Sequence, residues 1–146
     1  MKRIFLIIFI NLVHITLIAQ DTNKKQAIHS LIDKYSQARE TKDTLLLKEI
    51  LTTDIDQLVS NGEWRRGIRA AVDGMMRSST SNPGWRSLIV ESIRFLDERN
   101  AITDCRYEIQ NADGTIRKMW STFMVTYQHK KWKISAIRNM LPAGSP

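Results

Sequence analysis

Asp104, Arg106 and Glu108 alternate in the run A-I-T-D-C-R-Y-E-I, so an extended strand puts all three on one face. Facing a cavity, they would pair with a polar substrate, and Arg106 would depress the carboxylate pKa values. On an outer face the same trio is a solvated ladder of weak charge pairs, ordinary on exposed sheets. Asp104 is therefore a candidate general base. Asp54, in L-T-T-D-I-D, is a second, with capping or joining a strand as its structural alternative. Arg94 and Arg138 fall on predicted strands and could each hold an acidic ligand group, or merely a surface carboxylate. Trp64, Trp120, Met75, Met76 and Met124 have the rings and thioethers that suit a flat, apolar ligand. An ordinary core has the same composition.

Other chemistries lack their residues. His29 and His129 stand alone, one on a predicted helix and one in a turn, without metal-ligand spacing. No Gly-rich phosphate loop, nucleophile elbow or Cys/His pair is present, so neither metal nor cofactor is expected. The single cysteine, Cys105, cannot form an internal bridge; a buried, inert thiol is its default state.

These residues need a scaffold, and its spine is the last third of the chain. Two β-strand runs from Arg117 to Leu141 flank a tight polar turn at Gln128–Lys131, rich in aromatic and β-branched residues. Two further strands, Trp85–Asp97 and Ala101–Gln110, precede them across short turns, which implies an antiparallel meander. Upstream, Ile28, Leu31, Ile32, Tyr35 and Ala38 recur at helical spacing, with Asp21 or Thr22 as cap and an end near Thr41–Lys42. Asp43 or Thr44 can cap a second helix, T-L-L-L-K-E-I-L. A short strand, Asp54–Ser60, turns at Asn61-Gly62 and returns through Glu63–Arg66. Gly67 opens a third helix with a stripe of Ile68, Ala71, Val72, Met75 and Met76; Gly74 inside it marks a close packing contact. Ser78–Gly84 reads as a mobile loop near a pocket mouth. The layout is α+β.

The N-terminus is set apart. Lys2 and Arg3 precede an apolar run, Ile4 to Ala19, the layout of a secretory signal over residues 1–20. The run falls short of the roughly 20 apolar residues of a membrane span, so no stable span is expected after processing. Residues 21–146 then form one domain, in the periplasm or secreted. Losing Lys2 and Arg3 takes two from the formal net charge of +7. The remaining basic residues are scattered, and export disfavours nucleic acid as a partner.

Three patterns carry a resemblance. They are L-T-T-D-I-D-Q-L-V-S-N-G-E-W-R-R-G, N-A-I-T-D-C-R-Y and K-W-K-I-S-A-I-R-N-M-L-P. With the order of elements, they make residues 24–142 similar to the SnoaL-like, ketosteroid-isomerase-like branch of the nuclear transport factor 2-like superfamily. The resemblance implies a cone: three N-terminal helices packed on a strongly curved, mainly antiparallel sheet, with a pocket at the open end. It implies a homodimer through the outer sheet face. Tyr35 matches the family's pocket tyrosine on the first helix and would donate through its hydroxyl; a core ring with a surface hydroxyl is the alternative. The family's base belongs near the end of the first strand, where this chain has Val59-Ser60-Asn61 and no carboxylate.

The expected function is that of an exported domain binding a small, mostly apolar molecule, lined by Tyr35, Trp64, Met75, Arg94, Trp120, Met124 and Arg138. One alternative is a non-catalytic dimerisation module; another is an isomerase- or hydrolyase-type enzyme using Asp54 or Asp104 as base.

Overall fold

In the computed structural model the helices and strands follow from this patterning, with informative departures. The structure describes the backbone of residues 2–81, 84–111 and 113–142, and side chains from Gln20 onward within them. Asn82 and Pro83 of the expected loop, and Ala112 of the expected turn, lie outside the described residues, as do the side chains of the signal-like run.

Helix α1 spans Lys2–Glu40 without a break at Asp21 or Thr22. Neither residue acts as a cap, because no Gly or Pro interrupts the chain there and Ala, Gln, Lys and Leu sustain the helix. Its stripe of Ile28, Leu31, Ile32, Tyr35 and Ala38 is buried as expected. Helix α2 (Thr44–Ile50) starts at Asp43, whose carboxylate accepts from the Leu45 and Leu46 amides at 3.0 and 2.9 Å. Strand β1 (Leu51–Leu58) begins three residues before its expected start, straight from the end of α2. It turns at Gly62, whose φ of +89° suits a residue without Cβ, into β2 (Trp64–Arg66).

Helix α3 (Ile68–Ser81) follows β2, so the helices do not all precede the sheet. Ser78 to Ser81 are its last turn rather than a loop. Composition alone suggests a loop; what holds the turn is tertiary, since Ser79 is buried against α1. Strands β3 (Gly84–Phe95), β4 (Asn100–Asn111), β5 (Ile116–Gln128) and β6 (Lys131–Met140) complete the meander. His129 and Lys130 make the β5–β6 turn with φ of 51° and 63°, the positive-φ pair of a two-residue hairpin.

The sheet order is β2-β1-β6-β5-β4-β3. Every pairing is antiparallel except β1 with β6. Register shifts between Val90 and Ser92 and between Met124 and Val125 bend the long strands, and the sheet curves without closing. Its inner face packs on the helices around Ile32, Ile55, Met75, Phe123 and Ile134, all essentially without exposure. Trp132 closes this core beside the β5–β6 turn, against Phe95 and Tyr127. Tyr107, Ile109 and Met119 form a smaller apolar cluster towards the other end of the same face.

Candidate functional site

Between the two apolar clusters, the inner face holds polar side chains. Tyr35 lies on the buried stripe of α1, and its ring meets Phe123 edge-on at 5.3 Å. Its hydroxyl is not at the surface: Tyr35 is 3% exposed, and Oη accepts from Nη1 of Arg39 at 3.0 Å. One turn further along α1, Arg39 is itself only 5% exposed. Its Nε donates to the Ser79 hydroxyl on α3 at 3.2 Å. Tyr107 on β4 and Arg65 on β2 are the next electrostatic neighbours of Tyr35.

The two arginines differ in compensation. Arg65 donates to both Glu63 carboxylate oxygens, at 2.9 and 3.1 Å, and reaches Gln57 at 3.4 Å. The Glu63 carboxyl is held below its usual range chiefly by that hydrogen bond. Arg65 also explains Gly74, since a Cβ there would stand 2.4 Å from Cδ and Nε of Arg65. Arg39 has only hydroxyl partners: among the described residues no carboxylate lies within 4.0 Å of it. Burying an ion costs several kcal/mol even after relaxation, roughly, and a helix C-terminus returns only about 0.3–1 kcal/mol. Burial opposes the Arg39 charge, but the intrinsic basicity of a guanidinium keeps it charged at neutral pH. Burial raises the Tyr35 pKa against the pull of Arg39, so the phenol stays protonated at neutral pH.

The cluster sets hydrogen-bond donors within an apolar surround. It lacks a base, since no Asp or Glu is buried among the described residues. Asp54 is exposed on β1. Asp104 sits on the outer face, where its carboxylate accepts from Ser92 at 3.1 Å and Thr122 at 2.6 Å. Arg106 and Glu108 share that outer face, in ion pairs with Glu91 and Lys118.

Of the residues expected to line a pocket, Tyr35 and Met75 are inside and the others are not. Trp64, Trp120 and Met124 are 44%, 41% and 40% exposed. Strand alternation points them away from the helices, because Arg65, Met119, Phe123 and Val125 take the inner positions. Arg94 is exposed on β3. Arg138 pairs with Asp56 at 2.7 Å and lies 4.8 Å from the Trp64 ring. Cys105 faces inward, where burial first, then the charges of Asp104 and Glu91, push its thiol up to about 12. It is the inert thiol anticipated from its strand.

Arg39, Ser79, Arg65, Gln57 and Tyr107 escaped the sequence reading. A signal was there for two of them. Arg39 stands four residues after Tyr35 and seven after Ile32, and Ser79 four after Met75 and seven after Val72. Each continues a buried stripe with a polar residue. A surface groove of about 1280 Å³ lies elsewhere, between α1, α2 and the β5–β6 turn. Two of its wall cations are paired, Lys24 with Glu98 and Lys131 with Glu49, while Lys34, Arg99 and Lys130 face solvent and leave the groove net positive. The interior, where an unmatched charge is buried rather than solvated, is the stronger candidate.

Known structures share this architecture. A protein of unknown function from Shewanella oneidensis, described as NTF-2 like, superposes with a TM-score of 0.69 at 15% identity, over 80% of this chain and 98% of that one. A domain of unknown function with a cystatin-like fold from Nostoc punctiforme gives 0.74 at 16% identity, over 83% and 78%. An NTF2-like protein with a cystatin-like fold from Novosphingobium aromaticivorans gives 0.69 at 16%, over 85% of each. No family model and no curated protein matches the sequence. The fold is NTF2-like; at such identities, function does not follow from it.

Proposed function

We propose that this protein is an exported binding protein that takes a small, mostly apolar molecule into the wide end of its cone. The ligand's polar end meets Arg39, Tyr35 and Tyr107; its body packs on Met75, Phe123 and Met119. One observation carries the reading: a charged guanidinium is buried among apolar side chains with only hydroxyl partners. Binding without catalysis fits best, because Asp54 and Asp104 both stand outside the interior. Export rests on the N-terminal pattern of Lys2, Arg3 and the apolar run after them. Mass measurement of the protein recovered from outside the cytoplasm checks it; a mass including residues 1–20 removes the cleavage.

The test of binding is a thermal-shift screen followed by methyl NMR. A ligand at ~100 times its dissociation constant adds about 2.7 kcal/mol of stability. Hits should shift the methyl signals of Met75 and Met119 and leave Met124, on the outer face, unmoved. Hits that move only Met124 or the β5–β6 turn would sink the reading.

A second observation favours a homodimer. Trp64, Trp120, Met124 and Met140 leave apolar surface exposed on the outer face. A second copy of the chain would cover it. Light scattering should give twice the chain mass, and a monomer at high concentration removes the dimer.

A further inference from the structure

We propose that the ligand is a carboxylic acid, bound as its monoanion and clamped between Nη2 of Arg39 and the hydroxyl of Tyr35. This rests on the cone interior being the ligand site. The donors are already set by the internal hydrogen bonds. Nε and Nη1 of Arg39 are spent on Ser79 and Tyr35, and Nη2 has no partner among the described residues. Tyr35 accepts from Arg39, so its own proton is directed elsewhere and finds no acceptor among the described residues. Two neighbouring donors, one charged, suit the two oxygens of a carboxylate. Burial keeps the phenol protonated, so this donor persists through neutral pH.

Charge narrows the class further. Within this cluster Arg65 is neutralised by Glu63, which leaves one uncompensated positive charge on Arg39. A monoanion balances it; a phosphate monoester, carrying about −1.5 to −2, would bring in excess negative charge. The apolar residues on either side, Phe123 and Met75 in one cluster and Leu88, Ile109 and Met119 in the other, suit an aliphatic or aromatic body. The sequence points at the same pair, because Tyr35 and Arg39 are one helical turn apart and address one spot.

The experiment titrates the protein with matched carboxylates and amides: acetate and acetamide, benzoate and benzamide, phenylacetate and phenylacetamide. Calorimetry gives affinity, and the Arg39 side-chain and Met119 methyl signals report location. Each carboxylate should bind about tenfold to a hundredfold more tightly than its amide, the range for a hydrogen bond to a charged group. Arg39→Gln should bring the two series within about twofold, chiefly by weakening the carboxylates. Should Arg39→Gln not fold, Tyr35→Phe keeps the ring against Phe123 and should weaken carboxylates about tenfold. Amides that bind as tightly as carboxylates overturn the anion and leave the ligand site standing. Carboxylates that bind Arg39→Gln undiminished, or inorganic phosphate that outcompetes them, also overturn it. If neither series moves the Arg39 or Met119 signals, the ligand site itself falls.

Discussion

Arg138 and Arg39 each lie near an aromatic ring, and they do opposite work. Arg138, on the outer face, stacks 4.8 Å from Trp64 and pairs with Asp56 in contact with solvent. Arg39 lies 5.8 Å from the ring of Tyr35, inside, with two hydroxyls and no acid. The outer arginine is satisfied twice over and has nothing left to recruit. The inner one is held in place yet not neutralised. Residue type does not separate them; what separates them is whether water or a carboxylate already balances the charge.

Four perturbations would break or sharpen that contrast. The largest effect should come from Phe123→Ala, which removes the ring supporting Tyr35. We expect a loss of about 3–5 kcal/mol in urea denaturation, against at most about 1 kcal/mol for Trp64→Ala, whose main contact is an exposed cation–π stack. Equal losses would make the inner and outer sites energetically alike. Next, Ser79→Ala orphans the buried Nε of Arg39 and should cost about 1–3 kcal/mol. Asp56→Ala, at a half-exposed pair, should cost roughly 0–1 kcal/mol by the same measurement.

Gly74→Ala is the third. Helix propensity alone would favour it by about 0.8–1 kcal/mol. The new Cβ instead displaces Arg65 from Glu63 and Gln57, and we expect a net loss of about 1 kcal/mol, as for mild overpacking. A more stable variant would show that Arg65 moves freely. The smallest effect is in pH. The Glu63 carboxyl is held below its usual range by the Arg65 hydrogen bond. A depressed folded pKa contributes stability that is present above the unfolded value and lost as pH falls through the folded one. Acidification below the ordinary glutamate range should therefore lower the urea midpoint slightly, and Glu63→Gln should flatten that part of the profile. An unchanged slope would mean that Arg65 is not held by that carboxylate in solution.

Much of the architecture was legible because it is written in local periodicity. The α1 and α3 stripes, the Asp43 cap, Gly62 and the alternating strands each state their own conformation within a few residues. The exceptions are specific. Asp21 and Thr22 have the chemistry of caps, but nothing there stops a helix that is already running. Ser78 to Ser81 have the composition of a loop, yet a partner 40 residues away in sequence fastens Ser79 into a helix. The candidate site was half legible. Tyr35 and Met75 follow from their stripes, whereas Trp64, Trp120, Met124 and Arg138 were drawn inward by their size and charge alone. Alternation sets their side chains opposite to inward neighbours, but only the packed helices decide which face is inward.

By itself the sequence determined the order of helices and strands and which residues share a face, because helical and extended periodicities are properties of the chain. It also fixed that Tyr35 and Arg39 act side by side, one turn apart on one helix. The tertiary structure decided that Ser79 and Tyr107 join them, that Glu63 neutralises Arg65 beside them, and that Asp54 and Asp104 stay outside. Those outcomes depend on which distant segments meet across the curved sheet. Whether a charge is compensated is a property of that meeting, not of the residue that carries it.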